Sequence, residues 1–416
     1  MDLGISEKLA PILERVRTFI AEEVQPMEEA YAAEIATGDR WAFTERQTEI
    51  IETLKSKARA EGLWNFFLTE GEHSSGLSTV EYAYLAEEMG RSHLAPEVFN
   101  CAAPDTGNME VLVKYGSEEQ QAAWLTPLLN GEIRSAYAMT EPGVASSDAT
   151  NIATNAVLDG DEWVINGEKH WISGAGDPRC KIMIVMVKTD PDAPKHKQQS
   201  QILVPTDAPG VEILRPMQVF AMDDAPHGHM HLKLNNVRVP KDNVILGAGR
   251  GFEISQGRLG PGRIHHCMRA LGAAERALEL MCQRATTRVA FGKPLARLGA
   301  NIDIVANARM DIEQARLLTL KTAWMMDNAD PKEARVWISM IKTAVPNVTL
   351  KVIDEAIQMH GGLGVSQDTP LATMYMGQRT LRLADGPDAV HRMVVGRHEF
   401  RKYAEQDGVN ATFRDG

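Results

Sequence analysis

Residues 137–148 read Tyr-Ala-Met-Thr-Glu-Pro-Gly-Val-Ala-Ser-Ser-Asp, and residues 163–174 read Trp-Val-Ile-Asn-Gly-Glu-Lys-His-Trp-Ile-Ser-Gly. The pairs Asp159-Gly160 and Asn166-Gly167 predict two hairpin turns, because these dipeptides tolerate the positive φ that tight turns require. The polar loop of the first segment and the indole of Trp171 are then expected at the ends of neighbouring strands. A hydroxyl-rich loop that faces a large aromatic plane suits a flat, polar, heteroaromatic ligand.

The bulk composition is typical of a soluble globular protein. The chain has 416 residues, of which 44% are apolar and 24% are charged. This length predicts roughly two to three domains with a sizeable core. The formal net charge of −12 argues against a nucleic-acid-binding protein, which needs a basic face for phosphates. A local arginine cluster would still suffice for a small phosphate-bearing ligand.

The sequence shows no sign of secretion or of a membrane span. Its first residues, Met-Asp-Leu-Gly-Ile-Ser-Glu, lack the basic start and apolar core of a signal peptide. No apolar run approaches the roughly 20 residues that a membrane span needs. The four cysteines lie far apart without Cys-x-x-Cys spacing, which predicts reduced, mostly buried thiols. We therefore expect a cytoplasmic protein, or one of an organelle lumen if a leader has been removed.

The hydrophobic pattern divides the chain into three parts. Residues 1–132 show helical spacing, as in Leu9, Leu13 and Val16. Residues 133–247 carry strand-like runs, including 182–187 and 229–239, and predict a small β domain. Residues 248–416 return to helical spacing. We therefore predict an α+β multidomain protein with domains at 1–132, 133–247 and 248–416.

The segment at 137–174 resembles the flavin-binding signature of acyl-CoA dehydrogenases. The resemblance runs from Gly116-Ser117-Glu118-Glu119-Gln120 through Gln358-Met-His-Gly361-Gly362-Leu-Gly364 to the C-terminal helix. The run from Gly249 to Arg269 is most similar to the dehydrogenase part of fusion enzymes that also carry an aminoglycoside-phosphotransferase-like kinase domain, for which this chain has no room. The resemblance implies an N-terminal helical bundle, a middle β-barrel-like domain, a C-terminal four-helix bundle and bound FAD.

The resemblance also implies the first half of a cofactor site. Tyr137, Met139 and Thr140 would contact the flavin through backbone amides and the threonine hydroxyl. Trp171 would pack on the ring system, and Ser173 would lie near the reactive nitrogen or the substrate. Ser146 is a further cofactor candidate, and Ser147 would meet the acyl-CoA. Without the resemblance, an ordinary hairpin with satisfied hydroxyls and a core tryptophan explains the same residues equally well.

The second half of the implied cofactor site lies in the C-terminal part. The resemblance implies that Arg288, followed by Phe291, reaches the FAD pyrophosphate of a neighbouring subunit, where a guanidinium binds bidentately. Gln358 belongs to the same implied cofactor site, and Gly361 and Gly362 would let the backbone approach the adenosine portion closely. A Gly-Gly pair alone is more often a helix C-cap. The family often has Gln where this chain has Gly299, so the resemblance does not imply a side-chain contact to the adenine end from this position.

Asp385 is the candidate catalytic base. It stands where many family members carry Glu in a Tyr-Glu-Gly-Thr motif, and the resemblance implies that it removes the substrate α-proton. Gly386 and Arg263 would contact the substrate, and Pro387 would contact the flavin. Because Pro387 and Ala389 replace Thr and Gln, flavin contacts in this loop would come mainly from the backbone. From spacing alone, a helix N-cap or turn Asp is the better interpretation of Asp385.

Several histidines could suggest other chemistry. His227, His229 and His231 would share one strand face, but no carboxylate or Cys partner has fitting spacing and the family uses no metal. We therefore expect no metal site. His265 and His266 fall in the segment expected to line the acyl-CoA cleft, and we expect packing or substrate contacts there.

The predicted reaction is FAD-dependent α,β-dehydrogenation of an acyl-CoA thioester to the trans-2-enoyl-CoA. The resemblance implies a homodimer or homotetramer that passes electrons to an electron-transfer flavoprotein. One alternative is an acyl-CoA oxidase or flavin monooxygenase of the same fold, in which dioxygen reoxidises the flavin. Another is a catalytically silent flavin-binding assembly protein. The carboxylate at position 385 argues against the silent protein.

Overall fold

The computed structural model describes residues 1–404 of the chain. Along the sequence, helices occupy both ends of this range, and a β region lies between them. The helices are α1 Leu9–Phe19, α2 Glu28–Ile35, α3 Glu45–Ala60, α4 Thr79–Met89, α5 Ala95–Val98, α6 Asp105–Tyr115, α7 Glu118–Gln120, α8 Thr126–Leu129, α9 Gly251–Thr287, α10 Asn301–Asn328, α11 Pro331–His360, α12 Leu371–Thr380 and α13 Asp388–Ala404. The strands are β1 Arg134–Ala138, β2 Asn155–Asp159, β3 Glu162–Ser173, β4 Cys180–Lys188, β5 Gln199–Pro205, β6 Val211–Pro216, β7 His229–Pro240, β8 Val289–Ala290 and β9 Lys293–Pro294. This arrangement of helical, β and helical parts confirms the predicted fold class.

One sheet organises the β region. Among the described residues, seven strands join it in the order β1-β4-β2-β3-β7-β6, and β5 pairs with β4. β1 and β4 run parallel, whereas β3 and β7 form the long antiparallel pair at the middle of the sheet. The alternating apolar residues of these strands pack into one core, which includes Trp163, Ile165 and Leu232. The predicted strands at 182–187 and 229–239 correspond to β4 and β7.

The two predicted turns have different outcomes. Gly160 has φ of 63° and lies in the two-residue connection between Asp159 and Glu162, so this hairpin turn is confirmed. The turn predicted at Asn166-Gly167 is wrong. β3 continues through both residues and pairs with β7 on either side, with a register shift between Ile165 and Gly167. Two residues of β7, Asn235 and Asn236, lie opposite the single β3 residue Asn166, so the bulge is on β7, where Asn236 has φ of 51°. Gly167 has φ of 155°, and a Cβ at this position would come too close to the Thr154 side chain.

The chain folds into two compact units. One unit contains Ala21–Ser75 and Pro96–Gly262, and its core lies against the sheet. The other contains Met1–Ile20, Gly76–Ala95 and, of the described residues, 263–404, and its core includes Ala277, Ile312 and Ile353. These units do not coincide with the three domains, so the boundaries at 132/133 and 247/248 stay predictions.

The longest apolar helical stretch and the cysteines can be compared with the sequence predictions. Within residues 1–404, the stretch Pro331–Val365, which consists of α11 and the short 3-10 helix after it, is long and apolar enough to cross a membrane by length and composition. However, 61% of its most apolar window is buried inside the protein, which is common for a core helix. All four cysteines are free thiols, and Cys101, Cys180 and Cys267 are buried, as the sequence predicts.

Candidate active site

The loop that follows β1 is held in place by hydrogen bonds of its own. The Ser146 hydroxyl accepts a bond from the Glu141 N–H at 2.8 Å, which closes the turn between them. The Thr140 carbonyl accepts a bond from the His170 N–H at 2.9 Å. This second bond places the loop beside β3, as the sequence predicts. Met139 and Thr140 remain half-buried and Ser147 remains exposed, so this surface is open to a ligand.

A buried ion pair supports the same loop from behind. The ammonium of Lys169, a fully buried residue of β3, lies 2.8 Å from a Glu141 carboxylate oxygen. The ammonium also donates to the carbonyls of Met139 at 3.0 Å and Met186 at 2.6 Å. The Glu141 carboxylate accepts the N–H groups of Ala153 and Thr154. Burial lowers the pKa of Lys169 to about 8, although the Glu141 charge opposes this shift.

Trp171 lies on a bulge of β3. The register with β7 shifts between Lys169 and Ile172, and Trp171 has φ of 58°. A bulge redirects the side chain at the extra residue. The indole is 39% exposed, and its ring centre lies 6.0 Å from that of His229. The Ser173 hydroxyl and His229 Nδ1 are 2.8 Å apart, so these three side chains form one cluster.

The Tyr137 side chain is engaged within the protein. The Arg258 guanidinium carbon lies 3.8 Å from its ring centre, a cation–π contact. Gln201 donates to the Tyr137 hydroxyl at 3.0 Å, and the Ser255 hydroxyl lies 3.1 Å away. The predicted flavin contact of Tyr137 is one made by its backbone, and it stays a prediction.

Arg288 and Phe291 belong to a small exposed hairpin. β8 pairs with β9, and the two connecting residues, Phe291 and Gly292, have φ of 49° and 74°. Two positive φ values are those of a type I′ turn. Phe291 is 96% exposed at the tip, and Arg288 is exposed at the base.

The C-terminal end of α11 leaves backbone uncovered. Gly361 has φ of 64° and ends the helix, in agreement with the C-cap interpretation. A Cβ placed on Gly361 or Gly362 would meet no atom within 4 Å. Gln358 is exposed on the preceding turn. Gly361 can therefore end the helix and still leave room for a ligand to approach the backbone.

Asp385 lies in a tightly held loop ahead of α13. It has φ of 55° and Gly386 has φ of 104°. The Asp385 carbonyl accepts bonds from Arg263 Nε at 2.8 Å and from His391 Nε2 at 3.2 Å. A Cβ on Gly386 would lie 2.9 Å from His391 Nε2, so the packing requires glycine there. Pro387 follows, half-buried, directly before the helix.

The carboxylate of Asp385 remains accessible. Its side chain is 20% exposed, and its Oδ2 lies 3.5 Å from Nε2 of His266, whose side chain is 24% exposed. The acidic residue that begins α13 is Asp388, which accepts bonds from Arg382 Nε and Asn347 Nδ2. The turn interpretation of Asp385 therefore explains its backbone, while its side chain stays accessible for chemistry.

Several residues of these clusters are not predicted from the sequence. His229 contacts Ser173 instead of serving the metal site considered for it, and His231 lies 3.1 Å from Glu168. No group of three metal-ligating side chains occurs within residues 1–404. Lys169 and His391 carry no motif in the sequence that marks them as part of a site. The alternation of β3 could have flagged Lys169 as an inward-facing charge, whereas the contacts of His391 depend on tertiary packing.

The residues present fit the predicted cofactor. An exposed indole on a bulge offers a plane for a flat ring system, and the neighbouring loop offers backbone and hydroxyl groups. The exposed guanidinium of Arg288 suits a pyrophosphate. The individual cofactor and substrate contacts stay predictions.

Comparison with protein families covers nearly the whole chain. Residues 6–132 match the acyl-CoA dehydrogenase N-terminal domain, residues 136–235 match the middle domain, and residues 249–400 match the C-terminal domain. The three matches follow the order of helical, β and helical parts in the structure.

Individual relatives agree with this match. Acyl-CoA dehydrogenase family member 10 of Mus musculus is 52% identical over 96% of this chain and 37% of its own length. The Mycobacterium tuberculosis protein assigned as acyl-CoA dehydrogenase FadE2 is 52% identical over 97% of this chain and 98% of its own length. A solved structure from Mycobacterium abscessus, assigned as an acyl-CoA dehydrogenase, has a TM-score of 0.93 and 52% identity over 96% of this chain and all of its own.

The chain spans about half the length, or less, of several curated relatives that it matches. It nevertheless covers all three domains of the family and nearly all of the FadE2 relative. The chain therefore belongs to the acyl-CoA dehydrogenase family of FAD-dependent oxidoreductases.

Proposed function

We propose that this protein catalyses the α,β-dehydrogenation of an acyl-CoA thioester to the trans-2-enoyl-CoA. The observation that carries the proposal is the accessible carboxylate of Asp385 in a loop whose backbone is fixed by two donors. FAD, when bound, accepts the hydride that leaves the substrate β-carbon. Asp385 accepts the α-proton, so that the substrate loses one proton and one hydride and gains a double bond.

Two cationic groups surround Asp385. Arg263 is half-buried and Lys342 is buried, and both interact electrostatically with Asp385. Burial lowers the pKa of both cations, and the Asp385 charge opposes the shift. The Lys342 ammonium donates to the Leu381 carbonyl and so anchors the start of the same loop. Backbone N–H groups near Asp385, at Gly386, would hold the thioester oxygen as negative charge develops there.

The remaining predicted site residues fall into three groups, according to the part of the cofactor or substrate that each would contact. Met139, Thr140, Ser146, Trp171 and Ser173 would hold the flavin together with the backbone of Tyr137 and Pro387. Arg288, Phe291, Gln358, Gly361 and Gly362 would hold the pyrophosphate and adenosine portion. Ser147 and Arg263 would contact the acyl-CoA. We place the protein in the cytoplasm, with an electron-transfer flavoprotein as its electron acceptor.

The reaction is tested by mixing purified, FAD-loaded protein with straight-chain acyl-CoAs from butyryl-CoA to docosanoyl-CoA without oxygen. Bleaching of the flavin absorbance and formation of the 2-enoyl-CoA by mass spectrometry support the proposal. Absence of bleaching by any acyl-CoA, including branched and hydroxylated ones, contradicts it and favours a silent protein. Rapid return of the oxidised spectrum in air would favour the oxidase alternative.

Replacing Arg288 with alanine should weaken FAD retention by about tenfold or more, because the pyrophosphate loses a charge-assisted partner. The measurement is the FAD content after repeated desalting and the dissociation constant from flavin fluorescence. Arg46→Ala removes an exposed arginine of α3 and serves as the matched control. Equal retention by Arg288→Ala and the control would show that the role assigned to Arg288 is wrong.

The FAD-loaded protein should be a dimer or tetramer in solution. Val289 and Phe291 expose apolar surface on the hairpin beside Arg288, and surface of this kind is common at protein contacts. The predicted donation of Arg288 and the Gly361-Gly362 backbone to a neighbour's flavin also requires at least two subunits. Light scattering coupled to size exclusion measures the mass, and an active monomer that retains FAD would contradict the prediction.

A further inference from the structure

A histidine faces the candidate base. Nε2 of His266, on α9, lies 3.5 Å from Oδ2 of Asp385, and both side chains are partly exposed. The separation is within the range of an ion pair or of a dipole directed at a charge. His266 therefore lies where its imidazole can interact electrostatically with the Asp385 carboxylate, which remains accessible to a substrate.

A second contact fixes which nitrogen of the imidazole carries the proton. Nη2 of Arg269 lies at hydrogen-bonding distance, 3.4 Å, from Nδ1 of His266, one helical turn earlier on α9. A guanidinium has donors only, so Nδ1 must accept this bond. In neutral His266 the proton is then on Nε2, the nitrogen that faces Asp385. The Nε2–H group of His266 is then on the side of the imidazole that lies 3.5 Å from the Asp385 carboxylate.

We propose that His266 is a positioning residue that orients the Asp385 carboxylate for α-proton removal. The inference rests on the proposed dehydrogenation and adds a residue to it. The backbone of Asp385 is already fixed by Arg263 and His391, but bonds to a carbonyl do not restrict the side-chain torsions. An aspartate also reaches one methylene less far than the glutamate usual in the family. A donor placed at the carboxylate itself restricts its direction, and His266 Nε2 lies 3.5 Å from Oδ2.

The other charged groups around Asp385 set how its protonation responds to pH. Arg263 on α9, Lys342 on α11 and His391 on α13 interact with it, and Asp388 interacts with Lys342. Burial lowers the pKa of His391 to about 4, helped by the charges of Arg263 and Lys342. His391 therefore stays neutral above that pH. Arg263 and Lys342 remain charged in acid, which leaves Asp385 and His266 to determine the acidic side of the rate profile.

The test compares two substitutions that differ in one property. His266→Gln can place an amide N–H near the position of Nε2, whereas His266→Leu cannot donate. The control His73→Leu removes an exposed histidine from a loop. Each FAD-loaded variant is mixed with the acyl-CoA that bleaches the wild type fastest, and the rate of bleaching is measured against substrate concentration and pH. Thermal unfolding checks that the variants are folded.

We expect His266→Leu to lower the maximal rate of bleaching by about 10- to 100-fold, as misplacement of a reacting group does, with a small change in the half-saturating concentration. The acidic limb of its pH–rate profile should move up by about one pH unit. A donor to a carboxylate favours the ionised form, so its loss raises the pH at which the carboxylate is protonated. His266→Gln should recover most of the rate and keep the limb near the wild-type position. His73→Leu should match the wild type.

Three outcomes would overturn the proposal. If His266→Leu has the rate and pH profile of the wild type, a donor at position 266 does not orient the carboxylate. If only the half-saturating substrate concentration changes, His266 contacts the substrate and does not position Asp385. Equal losses in both variants, with the acidic limb gone from both, assign that limb to His266 itself. If the wild type is not bleached by any acyl-CoA, the proposed function fails, which is a result distinct from these three.

Discussion

Replacing Asp385 with asparagine should lower the rate of flavin reduction by acyl-CoA by about 100- to 10,000-fold, the usual contribution of a general base. Asparagine keeps the shape of the side chain and can still meet His266, but it cannot accept the α-proton. The backbone bonds from Arg263 and His391 end on the carbonyl and survive the change. The loss should therefore fall on the chemical step and spare the binding of FAD and acyl-CoA.

The measurement is anaerobic stopped-flow absorbance of the FAD-loaded variant, with acyl-CoA affinity measured separately by titration. Asp388→Asn is the matched control, since Asp388 lies three residues away and bonds to Arg382 and Asn347. Asp385→Glu should keep partial activity, because the chemistry is retained and only the reach changes. Reduction of Asp385→Asn at a rate near that of the wild type would place the base elsewhere and defeat the mechanism.

The position of Asp385 illustrates what the sequence could predict. Its neighbours Gly386 and Pro387 indicate a turn before a helix, and the resemblance to the family identifies the place of the base. The positive φ of Asp385 and the close approach of His391 to Gly386 are consistent with that turn. The contact with His266 was not predictable from spacing, because 119 positions separate the two residues and only the packed helices bring them together.

The β region shows the limits of local signals. Asn166-Gly167 has the composition of a hairpin turn, but pairing of β3 with β7 on both sides of this dipeptide outweighs that preference, and β3 continues opposite a bulge in β7. The exposure of the Trp171 indole depends on a second shift in the same pairing. A sequence indicates that a strand exists more readily than it indicates its register, since register depends on partners far along the chain.

Replacing Lys169 with methionine should destabilise the β region by about 3–5 kcal/mol, because removing one partner leaves the buried carboxylate of Glu141 without its counter-charge. The carbonyls of Met139 and Met186 also lose a donor. Methionine fills much of the same volume, so lost packing contributes little. Because Lys169 supports the loop with Met139 and Thr140, FAD retention should fall as well.

Urea unfolding followed by tryptophan fluorescence measures the stability, since Trp163 is in the core against the sheet. Lys241→Met removes an exposed lysine paired with exposed Asp161, and its unfolding midpoint should match the wild type. The double variant Lys169→Met with Glu141→Gln should be more stable than Lys169→Met alone. The amide oxygen introduced at position 141 can still accept one of the two N–H groups that the carboxylate accepts, from Ala153 or from Thr154, and no charge is left buried. If the single variant is as stable as the wild type, the ion pair does not hold the cofactor loop.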